Sequence, residues 1–187
     1  MLNHIIKSFE SAFKHQNNTI LVGGAEEPFY QPRQSGDDFS IVYFKEDFVA
    51  SALHEIAHWC LAGPERRKIL DYGYWYEADR DENAQCSFEV VEVKPQSIEW
   101  ILSTAACVPF SVSADNLNLE KYCNNAFRRK IHLQTKHYLL SGLPKRVSRI
   151  ATLLSQKQLS KKELSKEERP QTFGKYLSLQ QYRDPPR

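Results

Sequence analysis

Leu2, Ile5, Ile6, Phe9 and Phe13 return at the three- and four-residue spacing that gathers side chains on one face of a helix, and the polar stretch His15 to Asn18 ends that pattern. Thr19 to Val22 reads as a short strand stopped by Gly23-Gly24. Ala25 to Asp38 reads as a loop, broken by Pro28, Pro32 and Gly36, and Phe39 to Phe44 as a second strand rich in β-formers. A helix is expected from Phe48 to Leu61, with Asp47 as its N-cap and Gly63-Pro64 as its stop. Glu65 to Leu70 fits one or two helical turns, and an aromatic cluster follows at Tyr72, Tyr74, Trp75 and Tyr76 before a charged loop through Glu82.

The next segment sends mixed signals. Phe88, Val91, Ile98, Ile101, Leu102 and Ala105 share one helical face, yet Val90, Val91 and Val93 favour strand and Pro95 removes a backbone donor. The expectation is a helix up to Pro95, a kink or restart there, and a second helix to about Cys107. Phe127 to Leu140 is a further helix, ended by Gly142 and Pro144. Beyond Ser155 the chain turns polar and rich in Lys, Gln and Ser, so the domain is drawn at residues 1–155 with a polar tail at 156–187. The sum is an α/β (mixed α+β) single domain: a small sheet with helices, one of them carrying the peptidase-like sequence H-E-x-x-H.

Composition narrows this without redirecting it. With 41% hydrophobic residues and 26% charged ones, the chain has the apolar content of an ordered domain. A net charge of +2 is too mild to point to nucleic acid, though it suits an acidic protein partner. Four cysteines without a C-x-x-C pair argue against a disulfide framework or a Cys-rich zinc site. No leader pattern and no long apolar run is visible, so the expected setting is cytoplasmic, with no membrane and no nucleic-acid partner.

His54 and His58, four residues apart on the expected helix, lie one turn above each other and can take adjacent positions around one metal ion. Val49, Leu53, Ile56 and Cys60 form a core stripe, whereas Asp47, Ser51, His54 and His58 form a stripe suited to line a site. Glu55 is offset by about 100° from His54, beside the metal without being a ligand. Two histidines need a third ligand. Glu89 and Glu92 belong to a polar stripe with Gln85, Gln96 and Glu99. In peptidases with this first motif, a glutamate on a following helix completes the site, trailed by a small and then a polar residue. Glu92, followed by Pro95 and Gln96, fits that frame better than Glu89 does. With Zn²⁺ such a set hydrolyses an amide, Glu55 acting as general base; with Fe²⁺ it is a facial triad open to O₂. The residues alone favour the zinc peptidase, and a metal-stabilised binding protein without turnover is a third reading.

The run Ser51-Ala52-Leu53-His54-Glu55-Ile56-Ala57-His58-Trp59-Cys60-Leu61-Ala62-Gly63 adds a further level of similarity. Together with Asp71-Tyr72-Gly73-Tyr74-Trp75-Tyr76, Phe88-Glu89-Val90-Val91-Glu92-Val93-Lys94-Pro95-Gln96 and the stretch from Pro109-Phe110 to Asp115-Asn116-Leu117, it closely resembles the elongation factor P hydroxylase family. The likeness runs from about Glu26 to Pro144. It implies an iron enzyme with a peptidase-like fold that uses O₂ to hydroxylate a lysine of translation elongation factor P already bearing a β-lysyl group. Carried over, His54, His58 and Glu92 are the metal ligands, and Glu55 becomes a neighbouring, proton-handling group. The aromatics from Tyr72 to Tyr76, with Asp71, are candidates to hold ammonium groups or else to pack the core. Arg128-Arg129-Lys130, Lys145-Arg146 and Arg149 are candidates to dock an acidic partner or plain solvated surface. Cys60 and Cys86 are candidates for redox sensitivity or small core residues.

Overall fold

A computed structural model describes residues 1–70, 82–113 and 125–159. The mixed α+β expectation is borne out. Helix α1 (Leu2–Asn17) leads into strands β1 (Thr19–Ala25), β2 (Phe29–Gln31) and β3 (Ser40–Lys45). Helix α2 (Val49–Leu61), a 3₁₀ turn at Arg66–Lys68, and helices α3 (Glu82–Ala106), α4 (Asn125–Ser141) and α5 (Lys145–Leu159) follow. The sheet order is β1-β3-β2, with β1 parallel and β2 antiparallel to β3.

Burial explains the placement. Ile5, Phe9, Ala12 and Phe13 form the buried face of α1, and alternate residues of β3 (Ser40, Val42 and Phe44) point into the same core. From α2 come Ala52, Leu53, Ile56, Ala57, Trp59 and Cys60. Trp59 meets Phe9 and Phe13 with ring centroids 5.3 and 4.7 Å apart, so the helix that carries the histidines is fixed from behind by an aromatic cluster. Helix α3 packs against α2, α4 and α5.

Four sequence expectations need correction. First, Gly23-Gly24 does not stop β1. The strand continues to Ala25 through a register shift between Val22 and Ala25. A Cβ at Gly23 would lie 2.6 Å from the Phe44 ring and 2.8 Å from the Glu46 carbonyl, and Gly24 has φ +87°, so glycine is what lets the strand run on. Second, Phe29–Gln31, read as loop, is an edge strand, with Phe29 stacked on Tyr43 at 4.3 Å. Third, α2 starts at Val49 with Phe48 as a cap that makes no side-chain bond; Asp47 is exposed outside the helix, and the Lys45 amide bonds Ser51 Oγ at 2.9 Å instead.

Fourth, α3 is one helix of 25 residues with Pro95 inside it. A mid-helix proline costs about 3 kcal/mol, but three flanking helices and the buried Ile98, Ile101, Leu102 and Ala105 outweigh that local cost. Helix α5 had no counterpart in the sequence reading. Val147, Ile150, Ala151 and Leu154 are its buried face. No helix among the described residues is long and apolar enough to cross a membrane.

Candidate metal centre

The apolar stripe of α2 faces the core, which turns His54 and His58 toward α3. Their rings lie 4.6 Å apart between centroids, and their two Nε2 atoms are 3.0 Å apart. Opposite them α3 presents Glu92, which is 1% exposed. Its Oε1 lies 3.2 Å from His58 Nε2 and its Oε2 3.7 Å from His54 Nε2. His54, His58 and Glu92 are the one group among the described residues whose metal-ligating atoms gather in this way, all within 4.8 Å of one another.

Two further side chains on α3 set this geometry. Glu99 Oε2 lies 2.8 Å from His54 Nδ1. With that nitrogen donating its proton to the carboxylate, Nε2 is left bare as a ligand and the ring cannot swing away. Gln96 donates to Glu92 Oε2 at 3.4 Å and to the Ser113 carbonyl at 2.8 Å, while its own oxygen accepts from the Ser113 amide at 3.2 Å. That two-way bond ties the chain around Ser113 to the turn of α3 that carries Glu92. Glu92 and Glu99 are seven apart, so two helical turns of one face supply a carboxylate below and beside the imidazoles. Arg146 of α5 holds the far end of α2. It donates to the carbonyls of Cys60 and Ala62 and lies 5.1 Å from the centre of the Trp59 ring, satisfying helix-end acceptors that otherwise lack partners.

The electrostatics are those of a site with surplus negative charge. Burial pulls the His54 pKa down, but its hydrogen bond to Glu99 and the charges of Glu99, Glu55 and Glu92 raise it to about 10. Glu55 is pushed up mainly by burial, opposed by His54 and His58 and reinforced by Glu92 and Glu99. Three carboxylates around two imidazoles are relieved by a cation: by protons, or by one divalent ion in their place. The donor set fits the ion. Bonds of about 2.1 Å from one centre place neighbouring donors about 3 Å apart, close to the 3.0 and 3.2 Å separations found here.

Glu89 is also buried, but it faces Lys130 Nζ at 3.9 Å and does not join the cluster. The roles of Glu99 and Gln96 went unassigned from sequence, where both were only members of a polar stripe. The signal available was their heptad-like spacing with Glu92. Asp71, Tyr72, Tyr74, Trp75 and Tyr76 lie outside the described residues. Cys60 is buried and burial pushes its thiol pKa up, which makes it a core residue, whereas Cys86 is exposed. Arg146, a docking candidate in the sequence, is committed to α2.

A family model described as elongation factor P hydroxylase matches residues 8–169. The elongation factor P lysine hydroxylase of Haemophilus influenzae is 47% identical over 154 residues, covering 82% of this chain and 86% of that protein.

Proposed function

This chain belongs to the elongation factor P hydroxylase family, and on that premise we propose that it hydroxylates a lysine of translation elongation factor P. The lysine is one that already bears a β-lysyl group, so the step is the last of that modification. One ferrous ion is held by His54, His58 and Glu92. The observation that carries this reading is the convergence of two imidazole Nε2 atoms and a buried carboxylate on one point, in a chain so similar to a named lysine hydroxylase.

Iron with this ligand set supplies open positions at which dioxygen is activated. The protein's own residues do the rest. His54 and His58 are ligands through Nε2, Glu99 keeps the His54 ring in the ligating tautomer, and Gln96 fixes Glu92. Glu55, whose carboxyl is raised above the ordinary range by burial, handles protons beside the metal rather than activating water against an amide. We assign the catalytic unit to residues 1–155 and the polar tail to 156–187, acting in the cytoplasm where its protein substrate works. The family does not favour the zinc peptidase that the H-E-x-x-H sequence suggests by itself.

Reconstituting metal-free protein separately with Fe²⁺ and Zn²⁺ tests the choice. Only the iron form should hydroxylate elongation factor P under air, and Glu55→Gln should slow that activity without abolishing it. A zinc form that cleaves peptides, with Glu55→Gln losing nearly all cleavage, would establish the peptidase instead.

A further inference from the structure

A second surface on α3 is separate from the metal centre. Val90 and Lys94 lie one turn apart and two positions either side of Glu92, so they face away from the imidazoles. With Val93 they meet Lys130, Leu133 and His137 of α4 across an open groove of about 490 Å³. Val90 is 68% exposed and Leu133 58%; Leu140, two turns on from Leu133, is 73% exposed. Scattered exposed leucines are ordinary, but an apolar row along a helix beside a concavity is the arrangement that receives a partner segment.

Charge specifies the partner. Between residues 125 and 159 the chain has eight Lys or Arg and no Asp or Glu, although its whole net charge is only +2. Arg146 is turned inward to α2, but Lys94 is exposed and the Lys130 side chain remains 53% exposed while it reaches toward Glu89. The groove is thus apolar at its floor and cationic at its rim: Glu89 of α3 faces Lys130 at 3.9 Å, while α4 and α5 supply no acidic side chain and Lys94 stays exposed.

We propose that the α3–α4 groove is the docking site for the protein substrate, binding an acidic segment with apolar anchors while a different face of α3 presents the metal. This inference rests on the proposed function for the identity of the substrate. It assigns substrate affinity to side chains that take no part in holding iron. A small reactive group on a large protein is selected more sharply when a second contact reads the carrier.

Leu133→Asp and Lys94→Glu change exposed positions, and unchanged melting temperature and metal content confirm folding. Binding of intact elongation factor P is measured by titration, and turnover by mass spectrometry, on the whole factor and on a short peptide bearing the same modified lysine. Each variant should weaken binding of the whole factor and raise its KM by about tenfold, with turnover at saturation kept and the peptide unaffected. Added salt should weaken wild-type binding more steeply than that of Lys94→Glu. Unchanged affinity for the factor in both variants overturns the proposal, as does an equal loss on the peptide. A wild-type dimer that Leu133→Asp dissociates also overturns it, because a second copy then covers the groove. If wild type binds the factor through these residues without hydroxylating it, the proposed function falls and the docking site stands. If wild type hydroxylates it and the variants bind normally, the docking site alone falls.

Discussion

The two sides of α3 invert the usual rule of helix burial in opposite directions. On the side toward α2, Glu92, Gln96 and Glu99 are polar yet buried; on the side toward the groove with α4, Val90 is apolar yet 68% exposed. Folding alone favours neither arrangement. Burying a carboxylate is costly unless charge and hydrogen bonds answer it, and leaving valine in water forgoes about 1–2 kcal/mol of burial. The first inversion is explained inside the molecule: His54, His58, Gln96 and the Ser113 backbone meet the carboxylates. The second has no such answer within the described residues, which is why it points outward to a partner. Both inversions sit on one helix held on three sides, so site and groove keep a fixed relation.

The largest effect expected from breaking this contrast comes from Glu92→Leu. Removing the buried carboxylate should abolish metal retention and lower activity by about 1,000-fold or more, while the melting temperature of the metal-free protein holds or rises by a few degrees. Metal analysis with calorimetry reads both quantities; a variant that kept its metal would remove Glu92 from the site, and one that unfolded would make it structural. Next, Glu99→Gln should weaken metal affinity by about 10- to 100-fold, because a neutral amide orients the His54 ring poorly, and Glu99→Asp should recover part of the loss. Competition with a chelator measures this. At the small end, Val90→Ser should shift stability by no more than about 0.5 kcal/mol in urea titration. A larger loss would mean that this side of α3 is part of the core and that the contrast between the faces is unreal.

How far the sequence spoke for itself follows the range of the interactions concerned. His54 and His58 were legible because their relation is local, one turn of one helix. Glu92 was singled out only through its frame with Pro95 and Gln96; in the fold Glu92 faces the imidazoles and Glu89 faces Lys130. The pairing of Glu99 with His54 depends on how α2 and α3 cross, which no spacing within either segment encodes. Pro95 suggested a break because local cost is visible in sequence and tertiary compensation is not. Strand β2 is three residues flanked by Pro28 and Pro32, and it exists because β3 offers it an edge. In α5 the buried Val147, Ile150 and Leu154 are at helical spacing, hidden among basic and hydroxyl residues.

The central claim is that two histidines of α2 and Glu92 of α3 hold an iron that puts oxygen onto a lysine of elongation factor P. Intact-protein mass spectrometry of the β-lysylated factor, incubated under air with reductant and either the iron-loaded wild type or His54→Ala, tests it most directly. The wild type should add the mass of one oxygen atom to the factor, and His54→Ala should add none while binding the factor as tightly. Oxygen added at an undiminished rate by the His54→Ala protein would contradict the account.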